Sequence, residues 1–190
     1  MTNAVQTFRK YQYGVESYVD EQNRLHSPDK DTPARTSFTP YGQPLHEFYR
    51  FGVLHRDNDL PAFEGIVISS GGAVQLRVAG WFINGLAHRE GDYPSAVEHN
   101  LSTDVVTVSY SKNGILHRDR NKGPAVYTVQ LAKIGTNHRV LSAQFFENGK
   151  SVEVKPSPLV TYDRDLKTFV GTDVRCASEI YEPKPIITPH

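Results

Sequence analysis

In the stretch GILHRDRNKGPAV, residues 114–126, His117 and Arg118 stand side by side just ahead of a glycine-proline turn. An imidazole can move a proton and a guanidinium can hold an anion, so the pair has the makings of an acid-base or phosphate site. Other residue types suggest other chemistry. Eight histidines, at 26, 46, 55, 88, 99, 117, 138 and 190, would be the donors of a metal site. None of them falls at H-x-x-x-H or H-x-x-H spacing, and no cysteine cluster joins them, so no metal is expected. The GKS at 149–151 imitates the end of a phosphate-binding loop, but Gln144 stands where that motif needs its first glycine. A G-x-S-x-G serine motif is absent, and Cys176 has no histidine near it in sequence, so neither nucleophile can be argued. No catalytic residue and no cofactor are expected.

The His-Arg stretch recurs, which changes its meaning. RLHSPDKDTPARTSF around His26, VLHRDNDLPAFEGIV around His55 and LAHREGDYPSAVEHN around His88 precede the copy at His117. Pro33, Pro61, Pro94 and Pro124 follow their histidines by six or seven residues, each with alanine or serine directly after it. Gly52, Gly85 and Gly114 precede by three, and Phe48, Trp81 and Tyr110 by seven. A fifth, truncated copy begins at Phe145 and keeps Gly149, but Val152 replaces the histidine. An active site is needed once per chain, whereas a stacking contact is needed at every rung of a repeat array. His26, His55, His88 and His117, with their four prolines, are therefore expected to be structural, the imidazoles bonding loop backbone or stacking on a neighbouring aromatic.

The elements that must position these residues are strands. AVQLRVAGWF at 73–82 and DVVTVSY at 104–110 alternate or run apolar and are rich in valine and aromatics. Asn84-Gly85, Asn113-Gly114 and Asn148-Gly149 predict tight hairpins, because both residues tolerate the positive φ of a type I′ turn; Gly71-Gly72 predicts another. Each unit reads as a strand after Pro-Ala, a turn, a strand ending in the aromatic, the Asn-Gly turn, a short strand carrying Leu-His, and a proline-bearing loop. The fold expected is all-β with almost no helix, an antiparallel meander of four to five hairpin units in one elongated twisted sheet. Residues 1–19 are expected to add an edge segment, 20–154 to form the array, and 155–190 to make a proline-rich C-terminal extension.

The pattern aromatic-x-x-N-G-x-L-H-R-x-x-x-x-P-A, clearest in YSKNGILHRDRNKGPAV and WFINGLAHREGDYPSAV, resembles the MORN-like repeats (membrane occupation and recognition nexus), in the His-Arg variant found in uncharacterised phage, giant-virus and bacterial proteins. The resemblance covers roughly 20–154 and implies a sheet of successive hairpins that acts as a scaffold or binding surface. It also implies that the source could be a phage. These units run to about 30 residues, longer and poorer in glycine than standard MORN units, so no lipid role is carried over.

Twenty-one Lys and Arg balance 21 Asp and Glu, so no basic field favours nucleic acid or an anionic membrane. No apolar run approaches the roughly 20 residues of a membrane helix, and the first residues lack an apolar leader core. With one cysteine and no disulfide, a cytoplasmic protein is expected, or a virion protein if phage-encoded. Its expected role is non-enzymatic: a surface for another protein, as inhibitor of a host or defence protein or as an assembly component. A small-molecule or nucleotide-binding module is the alternative. For either, Arg56, Arg89 and Arg118 could form a ladder along one face, although each is followed by an acid (Asp57, Glu90, Asp119) suited to local pairing. Where two aromatics are adjacent one must face outward on a strand, so Tyr49, Phe82 and Phe146 join the candidate binding residues. Open sheet edges could also serve a homo-oligomer.

Overall fold

A computed structural model of the chain describes residues 5–12, 15–68, 75–131 and 139–153. The Gly71-Gly72 turn, Cys176 and the C-terminal extension lie outside them. Among the described residues there is no helix. Strands β1 (Phe8–Gln12) and β2 (Val15–Val19) form an opening hairpin. They are followed by β3 (Arg35–Phe38), β4 (Pro44–Glu47) and the short β5 (Tyr49–Arg50) and β6 (Val53–Leu54). The next unit holds β7 (Phe63–Ile68), β8 (Gln75–Gly80), β9 (Phe82–Ile83) and β10 (Leu86–Ala87). Then come β11 (Ala96–Asn100), β12 (Val105–Ser109), β13 (Ser111–Lys112) and β14 (Ile115–Leu116). The last are β15 (Val126–Gln130), β16 (Arg139–Gln144), β17 (Phe146–Glu147) and β18 (Lys150–Ser151).

The longer strands make one ten-stranded antiparallel sheet in the order β1-β2-β3-β4-β7-β8-β11-β12-β15-β16. This is the expected all-β meander. The opening segment contributes two strands rather than one, so the sheet begins before the first repeat. The short strands stand apart as four two-stranded hairpins, β5-β6, β9-β10, β13-β14 and β17-β18. One unit therefore supplies two long strands to the sheet and one hairpin to a row beside it.

The turn chemistry explains that division. Asn84, Asn113 and Asn148 have φ of 50 to 52° and the glycines after them 76 to 79°, both residues positive as a type I′ turn requires. Phe51 takes the asparagine's place in the second copy at φ 50°, a conformation unfavourable for a side chain of its size. Its ring lies 4.6 Å from that of His26, with the Arg24 guanidinium 5.0 Å from its centre, and these contacts offset the strain.

Strand alternation then sorts the core. Val97, Val106, Val108, Tyr127 and Val129 are buried together with Ala79, Trp81 and Tyr110, the aromatics standing at the strand ends where each hairpin departs. Ala34, Ala62 and Ala125 are fully buried and Ser95 is 1% exposed. Each of the four accepts a backbone hydrogen bond from an aromatic residue earlier in the chain, Tyr18, Phe48, Tyr110 and Trp81 respectively.

Candidate functional site

The recurring histidine is built into a joint between successive units. Its backbone N–H donates to a carbonyl of its own unit: His55 to Phe48, His88 to Trp81 and His117 to Tyr110, each at 3.0 Å. Its Nδ1 then accepts the turn N–H of the following unit. The pairs are His26 with Phe51 (3.2 Å), His55 with Asn84 (3.0 Å), His88 with Asn113 (3.1 Å) and His117 with Asn148 (3.1 Å). Beside each, the turn glycine donates to the residue preceding the histidine: Gly52 to Leu25, Gly85 to Leu54, Gly114 to Ala87 and Gly149 to Leu116. With Nδ1 accepting, the ring proton belongs on Nε2. There it is donated to Asp57 from His55 at 2.9 Å and to Glu90 from His88 at 3.0 Å.

Asp57 and Glu90 thus serve the histidine, while Asp119 accepts the Asn121 N–H at 2.9 Å, and the expected pairing of Arg56, Arg89 and Arg118 with Asp57, Glu90 or Asp119 is corrected. The arginines reach back across the joint instead. Arg89 binds Asp59 through Nε and Nη2, both at 2.7 Å, and Arg118 binds Asp92 through the same two atoms at 3.0 Å. Arg56 donates to the Lys30 and Pro61 carbonyls and to Glu64. Each guanidinium also lies over the aromatic of its own unit: Arg56 on Phe48 at 3.5 Å, Arg89 on Trp81 at 4.1 Å and Arg118 on Tyr110 at 3.9 Å. These side chains are only 9%, 9% and 3% exposed. Burial and pairing withdraw them from any face, so Arg56, Arg89 and Arg118 do not make the surface ladder that a phosphate would need.

The outward aromatics require a similar adjustment. Tyr49, Phe82 and Phe146 are half-buried. Their carbonyls accept from Ser27, Arg56 and Arg118, extending the joint. Tyr49 donates its hydroxyl to Glu47 at 3.1 Å, and the Phe82 ring lies 5.7 Å from that of Phe63. The residues that do face outward are their neighbours, Phe51, Val53, Ile83, Leu86 and Ile115, 38 to 49% exposed. Two signals in the sequence mark what was missed. An acid stands four residues after the histidine at Asp59 and Asp92, and an aliphatic stands two before it at Val53, Leu86 and Ile115.

The array also ends by rule. In the fourth unit Asn121 replaces the acid, and in the fifth Glu153 stands where the arginine would be. Arg120 instead pairs with Glu147 through Nε and Nη2 at 3.1 and 3.3 Å.

Two imidazoles at the N-terminal side have an electrostatic consequence. Burial holds His26 below the usual histidine range, assisted by Arg50 and Arg24 and opposed by Asp20. Burial does the same to His46, assisted by Arg56 and opposed by Glu64. Each binds a proton more readily unfolded than folded, so its stabilising contribution is complete above about pH 6.5 and is lost as pH falls below that. Asp57, held low chiefly by the His55 hydrogen bond and also by Arg50, adds a further loss below about pH 3.8. The melting temperature is expected to drop between about pH 7.5 and about pH 5. His46→Phe should shrink that drop, and a melting temperature that holds or rises would contradict the assignment.

A cleft of about 190 Å³ lies between the first two loops, lined by His26, Lys30, Tyr49, Arg50, Arg56 and Asp57 among others. Arg50 is paired with Asp57 and Lys30 with Asp31, so the cleft offers no concentrated positive charge. Among the described residues no three His, Cys, Asp or Glu side chains gather to hold a metal. Among the described residues no helix is long and apolar enough to cross a membrane. Compared with models of protein families, with curated proteins and with solved structures, the chain finds no match in any of the three.

Proposed function

We propose that the chain is a non-enzymatic repeat scaffold, MORN-like in plan, whose row of hairpins binds another protein. The observation that carries this reading is the division of labour within the unit. Histidine, arginine, proline and alanine are absorbed by the joints, while the aliphatics of the hairpins are left in solvent. An exposed apolar row on a folded protein marks an interaction surface. Both jobs implied by the resemblance, inhibitor of a host protein and virion component, would use such a surface. Affinity capture on the full chain tests the reading. A protein retained at one-to-one stoichiometry by the wild type, released by Leu86→Glu and rebinding in purified form is the expected result.

The alternative, sequestration of a nucleotide, draws its support from the cleft beside Tyr49 and Arg50. A nucleotide at 100 times its dissociation constant would stabilise the fold by about 2.7 kcal/mol, easily seen in a melting curve. We expect no shift, and a nucleotide that raises the melting temperature by that amount would replace the scaffold reading.

A further inference from the structure

The side chain two residues before each histidine lies against the turn glycine of the next unit. A Cβ placed on Gly52 would meet Arg24 at 3.6 Å, on Gly85 Val53 at 3.5 Å, on Gly114 Leu86 at 3.2 Å, and on Gly149 Ile115 at 2.9 Å. These side chains therefore form one contiguous row, and Lys150 occupies the same position in the last unit. Opposite each stands its cross-strand partner: Arg50 by Val53, Ile83 by Leu86, Lys112 by Ile115 and Glu147 by Lys150. Directly opposed residues share a face. The face is thus aliphatic in the middle, with Val53, Ile83, Leu86 and Ile115, and charged at both ends.

The charge pattern identifies the occupant. A second copy lying antiparallel on this face would set Lys150 and Lys112 opposite Arg24 and Arg50 and would bring no unpaired carboxylate, its Glu147 being held by Arg120, so it would leave both lysines uncompensated. Arg24, Arg50 and Glu147 have internal partners in Asp20, Asp57 and Arg120. Lys112 and Lys150 are exposed and have no ion-pair partner among the described residues. A carboxylate-bearing partner would complement them.

Spacing narrows the shape. Each unit adds two strands about 4.8 Å apart, so the aliphatic rungs recur at about 10 Å. Two turns of an α-helix advance nearly the same distance, about 11 Å. Successive hairpins are joined by the backbone bonds of Gly85 to Leu54, Gly114 to Ala87 and Gly149 to Leu116, so along the row the face offers side chains; an extended peptide lying on it would lack backbone partners, whereas a helix satisfies its own backbone. We infer that the hairpin row is a docking surface for an amphipathic helix of another protein, with aliphatics at seven-residue intervals and carboxylates over Lys112 and Lys150. The inference rests on the protein-binding reading above.

A display library of helical peptides, panned on the full chain and followed by fluorescence anisotropy of the enriched peptides, is the test. Enriched peptides should carry heptad-spaced aliphatics with acidic residues at one end. Their affinity should fall at least tenfold with Leu86→Glu, and likewise with Lys112→Glu/Lys150→Glu, which changes only exposed positions and guards against a folding artefact. Peptides that bind both variants as well as wild type, or a preference for basic peptides, would overturn the surface assignment while leaving protein binding intact. No enrichment at all would overturn the helix-docking inference, while protein binding stands or falls by the affinity capture described above.

Discussion

Arg118→Ala is expected to be the most damaging single truncation among the joint residues, lowering stability by about 3 kcal/mol or more. The guanidinium is 3% exposed, forms a two-bond fork with Asp92, donates to the Pro124 carbonyl at 3.3 Å and stacks on Tyr110. Removing it strips a carboxylate of both its hydrogen bonds and opens a space beside a buried ring. In a chain of this length such a loss lowers the melting temperature by roughly 10 °C. Arg118→Lys should recover only part of it, because an ammonium keeps the charge but has neither the fork nor the flat stacking face. A double-mutant cycle with Asp92→Ala measures the pair directly. Additive losses would mean that the fork contributes nothing and that the effect lies in the guanidinium's other contacts, such as the stacking on Tyr110 and the bond to the Pro124 carbonyl.

His88→Ala should cost about 2–3 kcal/mol by a different route. The ring is 10% exposed and bridges two units, accepting from Asn113 at Nδ1 and facing Glu90 at Nε2. Alanine leaves the Asn113 N–H without its acceptor and a void where the ring stood. The replacements are ranked by which atom matters. An asparagine oxygen comes close to the Nδ1 position, whereas a glutamine side chain reaches toward Nε2. His88→Asn should therefore melt above His88→Gln and His88→Ala; glutamine exceeding asparagine would shift the main role to the Glu90 contact. Any binding by correctly folded His88→Ala should persist, and binding lost at unchanged stability would make His88 a functional residue.

What could be read from the chain beforehand followed local rules. Asn-Gly at 84–85, 113–114 and 148–149 specified its turns because only a few residues tolerate two consecutive positive φ values. Valine-rich alternation at 104–110 specified a strand with one buried face, and the recurrence of His26, His55, His88 and His117 argued a structural role for each. Partner choice was not local. Asp57 and Asp59 are both acids near Arg56, yet one serves the histidine two residues before it and the other an arginine 30 residues ahead. That selection depends on how adjacent units stack, which residue spacing does not encode. The same holds for Tyr49, Phe82 and Phe146, whose half-burial is decided by the neighbouring unit and not by their own strand.

The reach of the joints has a kinetic consequence. Each of the four recurring histidines grips a turn 25 to 31 residues ahead, and the arginine forks to Asp59 and Asp92 reach 30 and 26 residues back. No joint skips a unit, so the chain entropy of closing each is small and nearly the same along the molecule. Folding can start at any pair of adjacent units and spread outward, while unfolding begins at the outermost units, which among the described residues have a joint on one side only. Amide exchange should therefore be slowest at Asn84 and Asn113 in the middle and fastest at Asn148, so that the protein frays like a zipper rather than opening at its centre.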